Sequence, residues 1–153
     1  EQFLGQKVLR LATLISWAVL HDMTLILEMK CHGNRERRSA ELLASLLRKI
    51  PKANVIVSSF DIDFLYYFRT FAPRIPLASV HNFFPEDIHF LKTELAIEAV
   101  HLDSDLISAS TDVTVFHQQG IKIRAWPVND ISRANDLFDL GVDMVMSDYP
   151  EQI

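Results

Sequence analysis

The sequence predicts an α/β fold: a TIM, or (β/α)8, barrel with six of its eight β/α units visible and the first two strands missing. Three observations point there. Short apolar runs of strand-like composition alternate in a regular way with stretches whose apolar residues recur at helical spacing. The segments between runs are long enough for parallel crossover connections. The four glycines, Gly5, Gly33, Gly120 and Gly141, are scattered, without the glycine-rich turn that an open dinucleotide-binding sheet places after a strand. The last observation favours a barrel over an open doubly wound sheet.

The elements follow in order. A first helix is predicted over Gln2 to Leu20. Its core, "VLRLATLISWAVL" (Val8 to Leu20), is shorter than the ~20 residues a membrane span needs and carries Arg10, so it reads as a buried helix. It lacks the basic flank and small-residue cleavage site of a signal peptide. "TLILEMK" (Thr24 to Lys30) is the first visible strand, followed by a polar loop and a helix from Ser39 to Lys49. "NVIVSSF" (Asn54 to Phe60) leads into the helical pattern "DIDFLYYFRTFA". "IPLASV" (Ile75 to Val80) is the next strand, and the loop "HNFFPED" introduces a helix over Asp87 to Leu95. "IEAVHLD" (Ile97 to Asp103) precedes "TDVTVFHQQG", a helix closed by Gly120 where a left-handed cap suits glycine. "IKIRAWPV" (Ile121 to Val128) is strand again. "DISRANDLFDLG" is a helix with Asp130 as N-cap and Gly141 as its stop, and "VDMVMSDYP" closes the series.

At 153 residues the chain is one domain's worth, and 49% hydrophobic content is enough for a substantial core. A formal charge of -5, with 15 Lys and Arg against 20 Asp and Glu, lacks the basic excess that long nucleic-acid tracts require. Nucleic acid is therefore not expected as a partner, nor is an integral membrane segment. The single cysteine, Cys31, allows no internal disulfide and no Cys-rich zinc motif, which makes a reducing compartment the default.

The first strand carries the functional signal. Side chains alternate faces along a strand, so Glu28 and Lys30 extend the row begun by Ile26, while Leu25, Leu27 and Met29 face the other way. A strand covered on both faces is normally apolar to its end, because an unpaired buried charge costs several kcal/mol. In a barrel, however, the strand C-termini form the active face. Glu28, Lys30, Ser59, Trp126 and Asp148 all fall there.

The motifs "LEMK", "VIVSSFD", "HQQGIKIRAWPVND" and "DLFDLGVDMVMSDYPEQI" closely resemble, in order and spacing, successive strand-end motifs of the glycerophosphodiester phosphodiesterase family. The resemblance runs over nearly the whole chain. It implies a TIM barrel that uses a divalent cation, magnesium or calcium, to hydrolyse a small-molecule glycerophosphodiester to glycerol 3-phosphate and an alcohol. Residue by residue, it implies Glu28 as a metal ligand and Lys30 as the catalytic residue contacting the phosphate. Ser59 and Trp126 are implied as substrate-binding residues, with Trp126 a wall against the glycerol or alcohol group. Phosphodiester displacement gathers negative charge on the phosphoryl oxygens, which a hard cation and an ammonium both stabilise. The family includes periplasmic members; a cytoplasmic location is the default expectation.

The family's His-Arg-Gly motif, its Glu-x-Asp pair and its second catalytic histidine are absent. The His21-Asp22 pair precedes the Glu28 strand, at the wrong barrel end for catalysis. Residues 1–153 are thus expected to be the C-terminal portion of such a domain, inactive alone. Two other readings stay open: a degenerate non-catalytic barrel kept for binding or assembly, and a related phospholipase-type phosphodiesterase. In the family's Trp-Thr-Val, Pro127 stands for Thr, which removes one ladder donor. Arg35, Arg37 and Arg38 read as a solvated basic loop just before a helix, and "HNFF" (His81 to Phe84) as a hydrophobic plug on the active face. His32, His89, His101 and His117 lack metal-ligand spacing, and Cys31 lacks a histidine partner for a catalytic thiol.

Overall fold

The computed structural model describes residues 5, 7–31 and 33–153. Six parallel strands pair in sequence order: β1 (Leu25–Glu28), β2 (Val55–Ser59), β3 (Leu77–His81), β4 (Ala99–Asp103), β5 (Lys122–Trp126) and β6 (Met144–Val145). Helix α1 (Leu11–Leu20) precedes β1; α2 (Glu36–Arg48), α3 (Ile62–Phe71), α4 (Ile88–Thr93), α5 (Thr114–Gln118) and α6 (Ile131–Asp139) fill the crossovers. Among the described residues no pairing joins β6 back to β1, so the sheet is a partial barrel with two open edges.

Register decides which residues look inward. Ile26 pairs with Ile56, Glu28 with Ser58, Val80 with His101, and Asp103 with Trp126, and this row lines the barrel interior. The opposite parity, including Leu27, Val57, Leu77, Val100 and Ile123, meets Leu43, Phe64, Phe68, Phe116 and Leu137 from the helices, and together they form the core. Burying one such side chain contributes about 1.5–3 kcal/mol, so the helix layer holds the sheet. Asp61, Asp87 and Asp130 each accept the backbone N–H three residues on, starting α3, α4 and α6.

Several elements differ from expectation. Helix α1 begins at Leu11; the residues before it from Lys7 are not helical, while Glu1 to Leu4 and Gln6, where the predicted helix began, lie outside the described residues, as does His32. The helix is also not buried. Only Ile15 and Ala18 are, while Trp17 and Leu20 are exposed. Helix α2 starts three residues before Ser39. Arg37 and Arg38 therefore sit in its first turn, where neighbouring Glu36 offsets their charge at the positive helix end and Glu41 accepts from Arg38 at 2.8 Å. Helix α5 is short, and the last strand shrinks to Met144–Val145.

At the N-terminal end of the barrel, Asp143 ties β5 to α5. Its Oδ2 accepts the buried Ile123 N–H at 2.8 Å and meets His117 Nε2 at 3.0 Å. Burial works to raise the carboxyl's pKa, but these hydrogen bonds and the charges of His117 and Lys122 outweigh it and hold it below the ordinary value. Asp143→Ala leaves Ile123 N–H unsatisfied and is expected to lose about 1–3 kcal/mol in urea unfolding. Asp143→Asn, which keeps an acceptor oxygen, should lose less than half as much; equal losses would remove the backbone bond as the cause.

Candidate active site

Glu28 ends β1 and Lys30 lies two residues on, with the ammonium 3.5 Å from Oε1. The lysine side chain is 71% exposed and the carboxylate 38%. A pair this solvated adds little stability, so both groups remain available to a ligand. Across the interior, Trp126 ends β5 and meets the Phe60 ring edge-on, with centroids 5.7 Å apart and an interplanar angle of 90°. The two charges and the two aromatics face one cleft of about 300 Å³ at the strand C-termini.

Its floor holds two polar residues that sequence reasoning did not assign to the site, Ser58 and His101, both buried. Arg124 Nη1 lies 3.2 Å from His101 Nε2. A guanidinium only donates, so Nε2 accepts and the ring is neutral with its proton on Nδ1. Burial, then the nearby charges of Arg124 and His81, push the His101 pKa down to about 3. Arg124 also donates to Glu98 at 3.0 Å. Among the described residues, Ser58 Oγ and Trp126 Nε1 are buried without a hydrogen-bond partner.

Ser59 is not in the cleft. Phe60 turns inward, so alternation turns Ser59 outward, where it donates to Met29 O at 2.6 Å and accepts from Asp61 N–H at 3.0 Å. Its hydroxyl ties the end of β2 to the segment between Glu28 and Lys30. Applying alternation from Phe60 would have picked out Ser58. Asp148 accepts from Asn129 Nδ2 at 3.0 Å, and Asn129 Oδ1 in turn accepts from Ser147 Oγ and the Asp148 N–H, so this carboxylate fastens the β5–α6 loop. In the "HNFF" loop, Phe84 packs on Phe116 of α5 with ring centroids 5.1 Å apart, and neither Phe83 nor Phe84 lines the cleft. Burial raises the Cys31 thiol pKa, which disfavours a thiolate nucleophile.

The described residues do not by themselves complete the donor set of a resident metal. Magnesium and calcium take six or more oxygen ligands, several of them carboxylate. Glu28 is the one carboxylate lining the cleft, and no group of three or more His, Cys, Asp or Glu residues able to hold an ion occurs among the described residues. No helix among them is long and apolar enough to cross a membrane.

The model of the glycerophosphoryl diester phosphodiesterase family matches residues 3–152. No curated protein sequence matches. Among solved structures, an Oleispira antarctica phosphodiesterase in complex with the product sn-glycerol-3-phosphate superposes with a TM-score of 0.86 at 24% identity, over 94% of this chain and 58% of that one. A glycerophosphodiester phosphodiesterase from Agrobacterium tumefaciens gives 0.74 at 13% identity, over 94% and 60%. One from Parabacteroides distasonis gives 0.71 at 21%, over 84% and 54%. At these identities the likeness is one of fold, and the chain spans a little over half the length of each.

Proposed function

The chain belongs to the glycerophosphoryl diester phosphodiesterase family, and from that premise we propose that it provides part of a phosphodiesterase site releasing glycerol 3-phosphate and an alcohol from glycerophosphodiesters. One observation carries this: Glu28 and Lys30 share a strand-end cleft with the aromatic wall of Trp126 and Phe60. Displacement at phosphorus spreads negative charge over the phosphoryl oxygens, and Lys30 stands at the rim to receive it as a point charge. Trp126 and Phe60 exclude water from the carbon skeleton beside it. Glu28 offers one carboxylate toward a divalent cation; it does not hold such an ion alone, and no step assigned to this chain runs through one.

Titration with inorganic phosphate and with glycerol 3-phosphate tests the reading. Lys30→Ala is expected to weaken both about tenfold or more, the scale of one lost charge-assisted hydrogen bond. Unchanged affinity, or no binding of either compound to the unaltered chain, overturns it. Offered glycerophosphocholine with magnesium or calcium, the 153-residue chain should release no glycerol 3-phosphate, since its cleft has one carboxylate and a histidine held neutral by Arg124. That single carboxylate also favours a second reading, a non-catalytic barrel used for binding, which phosphate affinity without turnover in any longer form would support.

A further inference from the structure

A second cavity lies at the opposite end of the barrel from the cleft. It opens between the C-terminal ends of α2 and α3, holds about 520 Å³ against about 300 Å³ for the cleft, and is walled by Ala44, Leu47, Phe71 and Ile75. Two exposed guanidiniums, Arg48 and Arg74, stand beside those apolar walls, and no carboxylate among the described residues lines it.

The charge there is written into the sequence. Residues 42–60 and 64–85 carry Arg48, Lys49, Lys52, Arg69 and Arg74 and no Asp or Glu, in a chain whose net charge is -5. The intervening Asp61 and Asp63 lie at the N-cap and first turn of α3, its far end. Helix C-termini draw cations, and that accounts for Arg48. Its Nη1 donates to Phe71 O at the end of α3 at 3.2 Å, and its Nη2 to Ser45 Oγ at 2.8 Å. It does not account for Arg74, which lies beyond α3 between Pro73 and Pro76 and makes no ion pair among the described residues. The loop that carries it is braced, since Arg69 Nη1 donates to Pro73 O at 2.8 Å and to Ile75 O at 3.1 Å.

Small-molecule sites run from about 300 to about 1,000 Å³, so the cavity is of that size. Apolar walls take up an alkyl body, and a guanidinium fork matches the two oxygens of a carboxylate as a bidentate pair. We propose that the cavity between α2 and α3 binds an amphipathic carboxylate, its alkyl chain against Leu47, Phe71 and Ile75 and its oxygens on Arg74. The chemistry of the substrate offers a source for such an anion. Hydrolysis of the acyl esters of a phospholipid yields a glycerophosphodiester and alkyl carboxylates together, so the anion accompanies the diester. Only this link to the substrate rests on the phosphodiesterase reading; the site stands on its own lining.

Octanoate titrated into the 153-residue chain and followed by backbone amide resonances tests the proposal. The amides of Ala44, Leu47, Ala72, Arg74 and Ile75 should move saturably, while those of Lys30 and Phe60 in the cleft stay in place. Butanoate, with a shorter apolar body, and octan-1-ol, without the charge, should each bind about tenfold or more weakly. Arg74→Gln should weaken octanoate about tenfold with an unchanged urea midpoint, and Arg74→Glu should reduce binding below detection. Octan-1-ol binding as tightly as octanoate, unaltered affinity in Arg74→Gln, or shifts at the cleft in place of these amides would overturn the proposal. So would amides that move with protein concentration or with an acidic peptide but not with octanoate, which would assign the groove to a second copy or to a protein partner. Phosphate binding at Lys30 is a separate measurement, and its failure tells against the phosphodiesterase reading alone.

Discussion

Glu98→Ala is expected to destabilise the protein by about 2–3 kcal/mol, less than the roughly 3–5 kcal/mol of a fully buried pair, because the Glu98 side chain is 35% exposed while the guanidinium left behind is buried. The Arg124 side chain is only 4% exposed, and Glu98 is the carboxylate that neutralises it, at 3.0 Å. Its other partner, His101, is neutral and cannot replace the charge. Lys122, 3.9 Å from Glu98, is itself 60% exposed and loses little. In urea the midpoint should fall with an unchanged slope, which marks lost stability as distinct from an altered unfolded state. The double change Glu98→Gln with Arg124→Met removes both charges and keeps the long apolar stem, so it should recover most of the loss. A Glu98→Ala loss under about 1 kcal/mol would mean the guanidinium is hydrated in solution, as a surface pair would be.

Acid should destabilise the protein through two buried histidines. His81 and His101 have pKa values pushed down by burial to about 4 and about 3, with Arg124 and His81 adding charge repulsion at His101. The sign follows from proton counting. Below about pH 6.5 the unfolded chain protonates both rings while the folded chain protonates neither, so the stability they contribute is full above that pH and is lost as pH falls toward 4 and then 3. By about pH 4.5 each ring is two pH units below its unfolded pKa, a combined loss on the order of 5 kcal/mol. That is comparable with the whole stability of an ordinary domain, about 5–15 kcal/mol. Unfolding midpoints measured between neutrality and about pH 4.5 should fall steeply, and His81→Gln with His101→Gln should flatten the curve. An equally steep fall in the double variant would assign acid sensitivity to other groups. Asp143, whose pKa is lowered, contributes in a separate window at more acid pH, as that carboxyl protonates.

How much of this was legible without coordinates depended on the range of the interaction concerned. The alternation of apolar runs and helical stretches is a local pattern, so the six parallel strands and their order could be read from it, as could the shared facing of Ile26, Glu28 and Lys30. The aspartate caps at Asp61, Asp87 and Asp130 follow likewise from local backbone needs, although only Asp130 had been identified. The motif strings carried the family. Helix limits were less legible: α2 begins at Glu36, three residues before the expected start, with Arg38 of its first turn paired to Glu41.

By itself, then, the sequence determined the fold class, the family and the two charges at the rim, because each is written in residue type and short-range periodicity. Only the tertiary structure decided the floor of the cleft. Ser58 lines it and Ser59 does not, because β2 turns its odd residues to the helices, and His101 is neutral because Arg124, twenty-three residues later, pairs across the β4–β5 register and occupies its Nε2. The exposure of α1 was equally hidden: an apolar helix is buried only where something packs on it, and among the described residues Trp17 and Leu20 remain exposed. Contacts between residues far apart in sequence, and the solvent they exclude, set hydrogen-bond partners and protonation, and a linear pattern does not encode them.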